Sequence, residues 1–236
     1  GNRVRKRPHE LIRYEYVRSA LQLGLGQAQT LGVNPFKFGV IGSTDAHTAL
    51  SATTESNFWG KTMVAEPKSD RATQAYSVLN WEMSASGYAG VWAHENTRES
   101  LFDALRRRET YATTGSRITL RVFAGWDFDL DDAHSPTLAK LGYQKGVPMG
   151  GDLTQAPKGS KPQFLIAAAR DAEGAHLDRI QVVKGWVDAT GETRERIYNV
   201  AASDNRRIRA NRVRPVGSPV DVATATYTNS IGDPEL

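Results

Sequence analysis

The sequence contains no cysteine. That absence excludes disulfides, cysteine-ligated zinc and a cysteine nucleophile, and it leaves the compartment open. Long apolar runs are missing as well: none approaches the ~20 residues that a membrane span needs. The basic N-terminus is not followed by the apolar stretch of a secretory signal. No G-x-S-x-G elbow and no Walker-type phosphate loop occurs, so serine-hydrolase and nucleoside-triphosphatase readings have no support. Three near-misses fail for stated reasons. His9-Glu10-Leu11-Ile12-Arg13 carries Arg where the zincin pattern needs its second His. Gly24-Leu25-Gly26 follows no strand and has Gln29 in place of the third glycine of a dinucleotide loop. Asp127, Asp129, Asp131 and Asp132 resemble the start of a calcium loop, but Asp132 and Leu138 stand where the loop needs Gly and Glu.

What is present is an ordinary globular composition, 39% apolar and 24% charged over 236 residues. Such a length holds one large domain or two small ones. The net charge is +4, with basic clusters at residues 3–7 and 206–214. Only Tyr14 and Tyr16 lie near the first cluster, so a solvated basic face is expected rather than a nucleic-acid partner.

Residues 8–31 read as one helix, with Leu11, Ile12, Tyr16, Val17, Ala20, Leu21 and Leu23 on its apolar face and Gly32 as its stop. Residues 37–42 read as a short buried strand. Helix, turn and strand make an α/β unit, and ligands gather at the C-terminal ends of strands in such folds. Residues 51–88 lack a period. They read as a long excursion pinned by Phe58, Trp59, Met63 and Trp81, with a short helix near 72–81. Residues 90–93 suggest another strand, and Asn96 or Thr97 caps a helix over 99–108. From Arg117 the pattern alternates, with strands expected at 118–123, 163–169, 179–186, 195–201 and 222–227. No helix is expected after Arg108. The fold class is α+β: an α/β segment over 1–116, then an antiparallel, sandwich-like region over 117–236.

The chemistry concentrates in residues 38–50, FGVIGSTDAHTAL. Asp45 and His47 offer a carboxylate oxygen and an imidazole nitrogen, a donor set suited to Zn, Mn or Fe. On extended backbone, residues i and i+2 share a side, so the two would face one ion. A turn Asp beside a surface His fits the same spacing. His94 and Glu95 form a second polar cluster, open to metal binding, acid–base work or plain helix capping. His134 and His176 read as surface residues.

The block from Asn34 to His47, NPFKFGVIGSTDAH, resembles the signature of the DUF3604 family, which in turn resembles the PHP superfamily of metal-dependent phosphoesterases. Residues 91–105 with their ENTR core, RRETYATTGSR over 107–117, IQVVKGW over 180–186 and residues 188–198 extend the likeness over most of the chain. The resemblance implies a distorted α/β barrel with two or three metal ions at its strand ends. Asp45 and His47 match the superfamily's final D-x-H motif. It further implies hydrolysis of phosphoesters, and Thr44 and Arg98 are candidates for binding the substrate anion. The superfamily's opening H-x-H motif and the His and Glu ligands after it are absent. The chain is therefore expected to be the C-terminal portion of a longer metallohydrolase, inactive and weakly metal-binding alone, its missing half lost or supplied by a partner. The rival expectation is a non-catalytic binding module in 117–236.

Overall fold

The apolar stretch near the N-terminus forms two helices, not one. The computed structural model describes residues 9–12, 14–50, 52, 57, 59–62, 68–70, 87–221, 223–224 and 226–236. In it α1 spans His9–Ile12 and α2 spans Val17–Leu31. Tyr16 interrupts the run: its backbone is extended (φ −114°, ψ 140°) and its side chain does not cap α2. α2 ends as expected at Gly32, whose left-handed backbone (φ 72°) lets its N–H reach the Ala28 carbonyl.

In chain order there follow β1 (Ala89–Val91), α3 (Arg98–Arg106), β2 (Thr110–Ala112), β3 (Thr119–Gly125), α4 (Leu130–Ala133) and α5 (Leu138–Lys145). Then come β4 (Gly146–Pro148), β5 (Gln163–Ala169), β6 (Arg179–Val187), β7 (Thr193–Ala202), β8 (Val220–Asp221) and β9 (Thr226–Tyr227). Among the described residues the strands make four small antiparallel sheets: β1-β2, β4-β3-β5, β6-β7 and β8-β9.

The chain divides into two compact units. One joins Gly1–Phe38 to Arg179–Arg214; the other joins Gly39–Asp178 to Pro215–Leu236. In the first, α2 lies on one face of the β6-β7 ribbon, with Leu25 and Gln22 against Gly185. In the second, Phe123, Phe128 and Leu165 form the buried core, and Leu138 packs on it. α5 crosses the β3-β4 side of its sheet. It comes so close that a Cβ on Gly142 would lie 2.3 Å from the Phe123 ring. The final residues run beside β5, where Ala168 and Leu236 exchange backbone hydrogen bonds of 2.8 and 2.9 Å.

Several expectations are corrected. No barrel is closed by hydrogen bonds among the described residues, and the β-rich region is several small sheets, not a single sandwich. Helices do follow Arg108. The acidic run 127–132 starts one, because Asp129 accepts from the Asp131 and Asp132 N–H groups while the Asp132 carboxylate accepts from the Asp129 N–H. That capping box hides the helix behind a turn-like composition. Among the described residues, 37–42 belong to no ladder. Of the strand expected at 222–227, Thr226–Tyr227 form β9, which pairs with β8 just before that range. The helix expected near 72–81, the basic cluster at 3–7, and Phe58, Met63 and Trp81 lie outside the described residues.

Candidate metal edge

The segment that carries Asp45 and His47 is held against the ends of β1 and β2. Thr110 Oγ1 donates to the Val40 carbonyl (3.3 Å). Gly42 passes between two carbonyl oxygens: a Cβ there would sit 2.7 Å from Tyr88 O and 2.8 Å from Thr113 O. Only glycine allows that approach, so Gly42 fixes where the following turn begins. Tyr88 and Thr113 are themselves joined, Thr113 N–H to Tyr88 O at 3.0 Å and Tyr88 N–H to Thr113 Oγ1 at 2.8 Å.

Beyond Gly42 the chain turns. Thr44 is buried, and its hydroxyl accepts from the Ala46 N–H (3.3 Å). Asp45 adopts a left-handed backbone, φ 57°. The alternation expected of extended backbone therefore fails at this residue. The pair is instead brought together by a hydrogen bond: His47 Nδ1 lies 2.9 Å from the Asp45 carbonyl oxygen. With Nδ1 donating to a carbonyl, the lone pair resides on Nε2, as in imidazoles that ligate metals through that nitrogen. Asp45 is exposed, and its carboxylate already meets a cation, the Lys61 ammonium at 3.5 Å. The Lys61 carbonyl also accepts from the His47 N–H at 2.6 Å. Lys61 carried no sequence signal, since it lies sixteen residues from Asp45 in a stretch without period.

His94 and Glu95 follow β1 on exposed backbone. The Glu95 N–H is bound by Ser100 Oγ (3.2 Å), and Thr97 caps α3 by accepting from the Ser100 N–H. Arg98 begins α3 and is exposed. Among the described residues no three His, Asp or Glu side chains gather to hold a metal ion, so His94 and Glu95 do not complete a cluster with Asp45 and His47. The fit to a divalent cation is thus chemical and partial: one carboxylate and one oriented imidazole. Of the remaining histidines, His134 is exposed and closes α4. His176 is half-buried, with an Nδ1 that lacks a hydrogen-bond partner among the described residues, not the surface residue expected.

A second polar cluster is centred on a buried carboxylate and was not singled out from the sequence. The Glu109 carboxylate, 2% exposed, accepts from the Tyr143 hydroxyl and faces the Arg121 and Arg107 guanidinium groups at 3.5 Å. Arg121 lies over the Trp92 ring (4.1 Å) and against Phe123 and Tyr143 (5.2 Å each). Burial, then the bond to Glu109, raises the Tyr143 pKa above its ordinary value. Every polar member is partnered, which marks a structural knot joining α5, β3 and the RRETY stretch.

No curated protein and no solved structure matches this chain. A family described as Protein of unknown function (DUF3604) matches residues 2–236, and the chain belongs to it.

Proposed function

We propose that Asp45 and His47 form one edge of a divalent-metal site in a hydrolase of phosphoesters. The supporting observation is the bond from His47 Nδ1 to the Asp45 backbone carbonyl, which leaves Nε2 as the available ligand nitrogen two residues from the Asp45 carboxylate. The resemblance of residues 34–47 to a metal-ligand motif supplies the reaction class. Asp45 and His47 would hold Zn, Mn or Fe, and the bound cation would supply Lewis-acid charge to the phosphoester. Lys61 holds the Asp45 carboxylate until a cation replaces it. Thr44 fixes the turn through its hydroxyl, and Arg98 offers an exposed guanidinium to the substrate anion. Residues 1–116 carry this edge, and further ligands would be needed to complete the site.

Two ligands hold a metal weakly, so this chain alone should bind Zn or Mn weakly and turn over no phosphoester. Calorimetric titration of the chain and of its Asp45→Ala and His47→Ala variants tests the assignment. Weak binding lost in both variants supports it; equal binding by all three sinks it.

A second reading places a non-catalytic binding module in 117–236. A cavity of about 380 Å³ beside the β4-β3-β5 sheet, lined by Trp126, Val147, Met149 and Phe164, favours it. Phe164 is 53% exposed at its rim. Binding of an apolar fluorescent probe that Phe164→Ser abolishes would support this reading, and indifference to that substitution would remove it.

A further inference from the structure

The register of the β6-β7 ribbon sorts its residues into two faces of opposite character. Val183, Gly185, Thr193 and Glu195 point towards α2, where Glu195 is bound by Arg18 and Gln22. The other face carries Val182 opposite Tyr198, Lys184 opposite Arg196, and Trp186 opposite Arg194. Lys184 and Arg196 are thus like charges on directly opposed positions, an arrangement that destabilises a sheet. Both are exposed, and among the described residues neither has an ion-pair partner. Each instead stacks on an aromatic ring of its own strand: Lys184 Nζ lies 5.1 Å from the Trp186 centroid, and the Arg196 guanidinium 4.9 Å from that of Tyr198. A pair of cations is therefore flanked by an aromatic ring at each end of one ribbon face.

More positive charge is strapped alongside. The Asn211 side chain accepts from the Asn199 N–H (2.8 Å) and donates to the Ile197 carbonyl (2.6 Å), which ties the 206–214 loop to the free edge of β7. That loop exposes Arg207, Arg209, Arg212 and Arg214. By sequence, the unit built from Gly1–Phe38 and Arg179–Arg214 holds sixteen Lys and Arg against six Asp and Glu, a net +10; the rest of the chain is −6, which together give the +4 of the whole.

We propose that this ribbon face binds single-stranded nucleic acid, with phosphates on Lys184, Arg196 and the 206–214 arginines and bases stacked on Trp186 and Tyr198. Cations alternating with aromatic rings suit unpaired bases, whose faces are free to stack. A membrane surface fits less well: the ribbon's tip, residues 188–192, is polar and acidic, with no large apolar side chain to insert. This inference is independent of the metal edge.

The test is fluorescence anisotropy of the full chain with a labelled 12-nucleotide oligothymidylate, from 20 to 200 mM NaCl. Binding should weaken steeply with salt, by about 0.7 in log–log slope for each phosphate contact. Lys184→Gln/Arg196→Gln should weaken binding at least ten-fold, flatten the slope by about 1.4, and leave the melting temperature unchanged or raised. Lys140→Gln/Lys161→Gln makes the same charge change on exposed positions of the other unit and should leave binding unchanged. Absence of binding at 20 mM salt overturns the proposal. So does equal weakening by the two double variants, tighter binding of a 12-base-pair duplex, or capture by anionic-lipid vesicles without oligonucleotide binding.

Discussion

Glu109 is the residue whose loss the structure prices most clearly. Its carboxylate is 2% exposed and faces Arg121, itself 13% exposed. Removing one partner of a buried pair costs about 3–5 kcal/mol, because the other charge is stranded. Three features move Glu109→Ala towards the lower end. Arg121 keeps its place over the Trp92 ring, a contact worth about 0.5–2 kcal/mol. Arg107 is 45% exposed and returns to water at little cost. Tyr143, 44% exposed, can rehydrate its hydroxyl. The expected loss is about 3 kcal/mol. For a unit of this size that is a drop of roughly 6–12 °C in melting temperature. Glu109→Gln keeps the volume and an acceptor for Tyr143, so it should lose about half as much. Urea unfolding followed by tryptophan fluorescence measures both, and a double-mutant cycle with Tyr143→Phe should show coupling of about 1 kcal/mol. A loss below about 1 kcal/mol for Glu109→Ala would refute the view that this knot fastens α5 to β3.

Gly142→Ala should cost about 1–3 kcal/mol by the same assay, since its Cβ meets the fully buried Phe123 ring. Thr97→Ala should cost about 1 kcal/mol through the lost cap of α3, with Thr97→Ser close to neutral. Five carboxylates are held below their ordinary range: Asp132 by Lys145, Asp171 by the Arg117 N–H, Asp188 by Thr190 and Arg194, Glu195 by Arg18, and Asp221 by Thr224. Their folded-state pKa values lie below the unfolded ones, so their contribution is complete above about pH 5 and is lost as pH falls further. Circular dichroism melts between pH 6 and 2 should show that decline, and Asp188→Asn should make it shallower.

Strands with clear alternation were legible in the sequence: β5 falls on its expected residues, and β3, β6 and β7 lie within two residues of theirs. So was α3, because a capping residue and an apolar stripe agree. What was not legible depends on neighbours distant in sequence. α5 is short, and glycine at its centre weakens the helical signal; Gly142 is there because Phe123 presses against that turn. Residues 37–42 have strand composition, yet among the described residues they join no ladder; the Thr110 hydroxyl on the Val40 carbonyl and the close approach at Gly42 hold them. The second basic cluster looked solvated because no aromatic residue lies near it in sequence. The register that places Trp186 and Tyr198 beside cations, and the Asn211 strap that brings the loop to β7, exist only once the ribbon is paired.

Asp45 shows how a site residue can be told from a turn residue by its cost. A non-glycine residue at φ 57° is strained by about 1 kcal/mol relative to glycine, though Asp tolerates the region better than most. Its one described ion pair, to Lys61 at 3.5 Å, involves a carboxylate 59% exposed to water. Such a surface pair contributes about 0–1 kcal/mol, which does not clearly offset the strain. On stability alone, glycine would serve this position equally well or better. Asp45→Gly should therefore leave the melting temperature unchanged or raise it by a few degrees, while abolishing metal binding. Asp45→Ala, which keeps the strain and loses the carboxylate, should be less stable than Asp45→Gly and equally unable to bind. If Asp45→Gly instead melts well below the parent, the carboxylate is held for the fold through Lys61, and the strain at Asp45 no longer speaks for the metal edge.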